Sequence, residues 1–181
     1  MSEGRIIAVV GPSGAGKDTL ISALRPHLPD LHIVRRVITR PEAAGGEDFE
    51  GVSEEVFFRR LRADAFALQW PAHGLCYGIP RSEIAVRADG RDVLFNGSRA
   101  MLEEAAHVFP DLMVLHITAR PEVLAHRLAA RGREKTRDIV DRLNRATIPL
   151  PAGLNVHEID NSDRLEDAVA RLLPLLQPVR A

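Results

Sequence analysis

The run Gly11, Pro12, Ser13, Gly14, Ala15, Gly16, Lys17, Asp18, Thr19 lies between a short apolar stretch and a segment with helical spacing. The stretch before it, Arg5 to Val10, suits a buried strand. The segment after it, Asp18 to His27, carries Leu20, Ile21 and Leu24 on one face before Pro26 and Pro29 stop it. A glycine-rich turn in that context lets successive N–H groups point into one anion-sized hollow. The helix start adds the positive end of its dipole. Lys17 adds a mobile point charge, so the chemistry expected is the cradling of a polyphosphate, with Lys17 on its outer groups. One position departs from the usual pattern. The residue after the lysine is normally a Ser or Thr that ligates Mg²⁺, and here it is Asp18. A carboxylate is a hard oxygen ligand, so Asp18 is expected to help hold the metal. The competing reading is that it only caps the helix. The later apolar strands end without a carboxylate, Phe95 leading to Asn96 and Ile117 to Thr118, which leaves Asp18 as the metal candidate.

These residues need a scaffold, and the hydrophobic pattern describes one. Leu31 to Thr39, Asp92 to Asn96, Leu112 to Thr118 and Val156 to Ile159 read as further strands. Helical patterns run from Pro80 to Ala88, Ser98 to Val108, Pro121 onward, and Arg164 to Leu176. Strands alternating with helices predict an α/β fold, a parallel sheet with helices on both faces. Residues 39–79 break the rhythm: an acid- and glycine-rich loop, a helix from Ser53 to about Ala63, and a hairpin of Phe66 to Trp70 with Gly74 to Ile79. Residues 131–147 break it again with an Arg-rich stretch. The expectation is one domain over 1–181, with a core of 1–38, 80–130 and 148–181, a flap at 39–79 and a lid at 131–147.

Composition narrows the class. The chain has 181 residues, with 24 basic and 25 acidic side chains and a formal charge of −1. That balance predicts neither a general nucleic-acid binder nor a binder of anionic membranes. An apolar content of 45 % is enough for a packed core. The single cysteine, Cys76, excludes an internal disulfide and has no zinc-like spacing around it. Without a signal-like or membrane-length apolar run, the expectation is a soluble cytoplasmic protein. Of the basic residues, 22 are Arg, whose fork suits bidentate phosphate contacts.

Over nearly its whole length the sequence resembles the guanylate kinase family of P-loop kinases. The phosphate loop through Lys17 carries the likeness first. Thr39-Arg40-Pro41, then Gly46-Glu47-Asp48 and Val52-Ser53, look like a shortened form of that family's acceptor-phosphate segment. Trp70 and Tyr77-Gly78 sit where its hairpin has Trp and Tyr-Gly. Arg127-Leu128, Arg131-Gly132-Arg133 and Arg142-Leu143 look like its lid, and Asn161 falls where it has an adenine-contacting Asn. The departures concern the base. Guanylate kinases have Glu before the Trp, and here it is Gln69. They have Ser or Thr after Tyr-Gly, and here it is Ile79. Their Asp-containing segment after the next strand is Phe95-Asn96-Gly97-Ser98-Arg99. A site built to pair with a base discriminates strongly, so losing these groups should abolish base selection. The departures, with Val37 to Pro41, Ala72-His73-Gly74 and Asn96 to Arg99, resemble the ribose 1,5-bisphosphate phosphokinases of phosphonate degradation.

That resemblance implies ATP-dependent phosphorylation of ribose 1,5-bisphosphate to 5-phosphoribosyl 1-diphosphate, with ATP and Mg²⁺ as cofactors and a small phosphosugar as partner. Lys17, Arg131 and Arg142 are the expected catalytic residues, with Arg127 and Arg133 as helpers. Gly11 to Thr19, Arg127 and Asn161 are the expected nucleotide contacts. Arg36, Arg40 and Tyr77 are expected on the acceptor phosphates, and Asn96, Ser98 and Arg99 on the sugar or its phosphate. Arg35 and Arg36 are neighbours on a strand and so face opposite ways; Arg36 shares a face with Ile38 and Arg40 and is favoured. Ser98 could equally be only a helix cap. Glu47 and Asp48 could tune the acceptor arginines or be plain loop acids. The alternatives are a guanylate-type kinase, against which Gln69 and Ile79 argue, and a non-catalytic interaction module, against which Lys17 argues.

Overall fold

The computed structural model describes residues 2–132 and 149–177, together with Ile139 and Leu143. Its strands are β1 (Ile6–Val10), β2 (His32–Ile33), β3 (Arg36–Ile38), β4 (Phe49–Gly51), β5 (Phe66–Ala72), β6 (Leu75–Pro80), β7 (Val93–Asn96), β8 (Met113–Thr118) and β9 (Asn155–Asp160). Its helices are α1 (Lys17–Leu24), α2 (Glu54–Arg62), α3 (Arg81–Ala85), α4 (Leu102–Val108), α5 (Pro121–Ala130) and α6 (Leu165–Leu176). A five-stranded sheet runs in the order β2-β7-β1-β8-β9. No two of its neighbours are joined by a hairpin, so crossovers connect them, as a parallel α/β sheet requires. β1 is central in that order and buried at all five positions, which is why Ile6 to Val10 is apolar throughout.

The chain divides into two compact units, 1–8 with 30–113 and 9–29 with 114–181. The first holds a second sheet, ordered β4-β3-β6-β5. In it β3 pairs in parallel with β4 and antiparallel with β6, and β5 pairs antiparallel with β6. The hairpin is longer than the sequence suggests. Pairing reaches Ala72 with Leu75, and only His73 and Gly74 turn, both left-handed with φ of 52° and 74°. Val37, Phe57 and Phe66 form the core under this sheet, the two rings stacked 4.8 Å apart. α2 starts where expected, the Ser53 hydroxyl accepting from the Val56 N–H at 3.2 Å.

The expected single strand from Leu31 to Thr39 is two strands in two sheets. The Val34 N–H still donates to the Leu94 carbonyl of the five-stranded sheet. The Arg35 N–H instead donates to the Glu83 carboxylate at 2.9 Å, and Arg36 opens the pairing with Phe49. One side-chain acceptor thus takes the donor at the crossing point, which hydrophobic pattern alone does not reveal.

The second unit holds β8, β9, α1, α5 and α6. Leu20, Ile21 and Leu24 of α1 are buried, and α1 packs with α6, whose Ala168, Val169, Leu172 and Leu176 are buried in turn. Spacings of three and four on each helix make the two apolar faces.

Candidate active site

The phosphate loop belongs to the second unit, and its shape depends on two close approaches. A Cβ on Gly11 would stand 2.1 Å from the Ile117 carbonyl oxygen. A Cβ on Gly16 would stand 2.6 Å from the Asn161 side-chain nitrogen, and Gly16 is left-handed with φ of 88°. No side chain fits either place. Gly16 is also the N-cap of α1, so the first free N–H groups of that helix face the loop's hollow. Lys17 folds over the loop, its Nζ donating to the carbonyls of Gly11 at 3.0 Å and Pro12 at 3.3 Å. Asp18 and Thr19 are exposed on the first turn of α1. Among the described residues no group of three or more His, Cys, Asp or Glu could hold a metal. One carboxylate and one hydroxyl beside a phosphate cradle form a hard-oxygen donor set that suits Mg²⁺ completing its shell with phosphate and water.

Asn161 and Arg127 hold the loop from behind. Asn161 is buried at 4 % exposure, and its Nδ2 donates to the Ala15 carbonyl at 2.7 Å. Its backbone N–H donates to Thr118 at 2.8 Å. Arg127 donates to the carbonyls of Gly14 at 3.2 Å, Ala15 at 3.4 Å and Asn161 at 2.7 Å. Both residues were expected as nucleotide contacts; here each donates side-chain hydrogen bonds to the loop's carbonyls. Sequence reasoning missed what sets Asn161 in place. Ser162 donates to Asp160 from both its backbone N–H and its hydroxyl, and its hydroxyl accepts from the Arg120 N–H at 2.8 Å. The Ser162 hydrogen bonds hold the Asp160 carboxyl below its usual range, despite some desolvation. The signal was the turn-forming triplet Asp160-Asn161-Ser162 at a strand end. Arg131 is exposed at the C-cap of α5. Arg142, Arg133 and most of the expected lid lie outside the described residues.

The expected acceptor residues all belong to the first unit. Arg36 is buried, its side chain 7 % exposed. Its guanidinium lies over the rings of Tyr77 at 5.1 Å and Trp70 at 6.0 Å, and those rings stack 5.5 Å apart and nearly parallel. Its Nη1 donates to the Asn96 carbonyl at 2.7 Å, while Nε and Nη2 grip both oxygens of Glu47. Arg35 faces the other way, exposed, on Asp48 and Glu42. Strand alternation therefore sorts the pair as expected. Arg40 lies 4.4 Å over the Phe49 ring and donates from Nη2 to the Gly45 carbonyl at 3.0 Å. Its buried Nε has no hydrogen-bond partner. No carboxylate pairs with Arg40 among the described residues. A cation with an unsatisfied buried N–H is a costly arrangement that an incoming anion would relieve.

Asn96 ends β7, and beyond it Ser98 caps a short turn, accepting from the Ala100 N–H at 3.3 Å. Arg99 is partly buried, and desolvation lowers its pKa. Ile79, which stands where a guanine-reading site has a hydroxyl, is fully buried in the core of this unit. Nothing at that position can present a polar group to a base. The unit that holds the expected acceptor residues therefore has cations and a tyrosine hydroxyl, while its Ile79 is buried by packing.

Comparison with known proteins identifies the family. Residues 7–148 match the AAA domain family model. The chain is 52 % identical over 181 residues to the ribose 1,5-bisphosphate phosphokinase PhnN of Ruegeria sp., covering 99 % of this chain and 95 % of that protein. It is 47 % identical over 182 residues to the protein of the same name from Pseudomonas paraeruginosa, covering 98 % of each. Its fold is similar to that of a guanylate kinase from Anaplasma phagocytophilum, with a TM-score of 0.71 at 19 % identity, covering 97 % of this chain and 85 % of that one. The fold is thus guanylate-kinase-like, while identity of this level along nearly the whole chain goes further: the chain belongs to the ribose 1,5-bisphosphate phosphokinase family.

Proposed function

We propose that this chain is a cytoplasmic kinase that transfers the γ-phosphoryl group of ATP to the 1-phosphate of ribose 1,5-bisphosphate, releasing ADP and 5-phospho-α-D-ribose 1-diphosphate. The observation that carries the acceptor is the joint presence of a complete phosphate loop and a fully buried Ile79 where a base would be read. Family membership supports the same reading. No helix among the described residues is long and apolar enough to cross a membrane.

An oxygen of the acceptor phosphate is already an anionic nucleophile, so no general base is required. It forms the new bond to the γ-phosphorus as the bridging oxygen leaves with its electron pair on ADP. The protein's task is to position two anions and neutralise their repulsion. The loop N–H groups and Lys17 hold the ATP phosphates, Lys17 exchanging its loop carbonyls for phosphate oxygens. Asp18, with Thr19 beside it, would hold Mg²⁺, which would supply charge neutralisation of the phosphates. Arg131 and Arg142, from a lid at 131–147, stabilise the charge of the transferring group. A flap at 39–79 brings Arg40 and Tyr77 to the acceptor phosphates, and Asn96, Ser98 and Arg99 take the sugar or its phosphate.

Phosphorus NMR of the purified chain with Mg-ATP tests this, with ribose 1,5-bisphosphate or GMP as acceptor. The expected result is a new sugar 1-diphosphate signal with little GDP. Fast GDP formation would instead return the chain to the guanylate-type reading.

A further inference from the structure

One short loop occupies donors of three arginines, Arg35, Arg36 and Arg40. Residues 41–48 are exposed except for Glu47, which turns inward. From this loop Glu47 takes two donors of Arg36, the Gly45 carbonyl takes one of Arg40, and Glu42 and Asp48 take Arg35. We propose that Glu47 is an acceptor-selecting residue: its carboxylate stands in for a substrate phosphate on the Arg36 fork, and an acceptor enters by displacing it. This rests on the reading that the unit of 1–8 and 30–113 receives the phosphosugar.

Three features carry the exchange. First, Arg36 is held independently of Glu47. Its Nη1 bond to Asn96 and its stacking on Tyr77 and Trp70 keep the guanidinium in place after the carboxylate leaves. Second, the vacated donors form the fork that a phosphate matches as well as a carboxylate does, with more charge on the phosphate. A neutral sugar cannot make this trade, because it would leave a buried guanidinium without its counter-charge. Selection is therefore by charge: a phosphorylated acceptor opens the site and an unphosphorylated one does not. Third, Glu47 can leave cheaply. Gly45 and Gly46 immediately before it are left-handed, with φ of 71° and 103°, and nothing lies within 4 Å of where a Gly45 Cβ would be. Its loop neighbours already face solvent, so the displaced carboxylate has water to go to.

The test is calorimetric titration of the full chain, without ATP, using ribose 1,5-bisphosphate and, separately, inorganic phosphate. Glu47→Gln removes the competing charge and keeps the size. It should bind both ligands about tenfold tighter, the gain expected when a competing state held near nine-tenths of the population is removed. Glu47→Asp, which keeps the charge, should not show that gain. Equal or weaker binding by Glu47→Gln overturns the proposal. Tighter phosphate binding with no bisphosphate binding by any form keeps the displacement and overturns the acceptor reading beneath it. No binding of either ligand by any form overturns both. The unmodified chain gives a second readout that needs no variant. The Ala44 and Gly45 N–H groups donate to the carbonyls of Pro41 and Glu42, so ligand should speed hydrogen exchange at Ala44 and Gly45. Slower or unchanged exchange there overturns the displacement.

Discussion

Arg36 and Arg40 have the same side chain in different electrostatic states. Arg36 is buried with a carboxylate on its fork, while Arg40 has a carbonyl, a ring face and one unsatisfied buried N–H. Of the two, Arg40 is the one whose charge can meet an incoming phosphate without first losing a carboxylate. Arg40→Lys keeps that charge and removes the fork. It should raise KM for ribose 1,5-bisphosphate by about 10- to 100-fold, corresponding to one charge-assisted hydrogen bond of about 1.5–3 kcal/mol. The melting temperature should move little, since the one hydrogen bond lost is exposed. Steady-state kinetics beside a thermal melt checks both, and an unchanged KM would assign Arg40 to loop structure. Strand alternation made the inward turn of Arg36 legible in the sequence. Its pairing with Glu47, eleven residues on, was not, because a loop's path decides which of Glu42, Glu47 and Asp48 turns inward.

At the scale of elements, the phosphate loop was fully legible, since its spacing carries its own geometry. What braces it was not. Asn161 comes from the end of β9 and Arg127 from α5, and both reach the loop only through tertiary folding. Pattern likewise foretold the hairpin and the capped start of α2, but not the split of Leu31 to Thr39 between two sheets, where a distant side chain, the Glu83 carboxylate, takes the Arg35 N–H. The brace changes what Asn161 should do. A residue that reads adenine would, when lost, alter the preference for ATP over GTP. A residue that holds the loop would, when lost, weaken both nucleotides alike. Asn161→Ala leaves the buried Ala15 carbonyl without its short bond, a cost of about 1–3 kcal/mol. The expected outcome is a 5- to 100-fold loss of affinity, on the order of that cost, for ATP and GTP in the same proportion. Titration with nonhydrolysable analogues of the two measures it. A loss confined to ATP would assign the residue to the base.

At the scale of the whole molecule, the residues proposed for the nucleotide and those proposed for the acceptor fall into different units. Every described residue proposed for the nucleotide, from Gly11 to Thr19 with Arg127 and Asn161, lies in the unit of 9–29 and 114–181, as does Arg131, proposed for the transferring group. Every residue assigned to the acceptor, from Arg36 and Arg40 to Tyr77, Asn96, Ser98 and Arg99, lies in the other. Each ligand should therefore bind without the other. A ligand that binds only the folded state stabilises it by RT ln(1 + [L]/Kd), about 2.7 kcal/mol at a hundredfold excess over Kd. A nonhydrolysable ATP analogue alone and ribose 1,5-bisphosphate alone should each raise the melting temperature by a few degrees. Variants should cross over. Lys17→Ala should lose the nucleotide shift and keep the sugar shift, and Arg40→Lys should do the reverse. If the sugar shift appears only when nucleotide is present, the acceptor site is completed by nucleotide binding, and the order of addition is compulsory. If Lys17→Ala removes both shifts, the two units do not bind independently, and the segregation of residues along the chain does not carry over to the energetics.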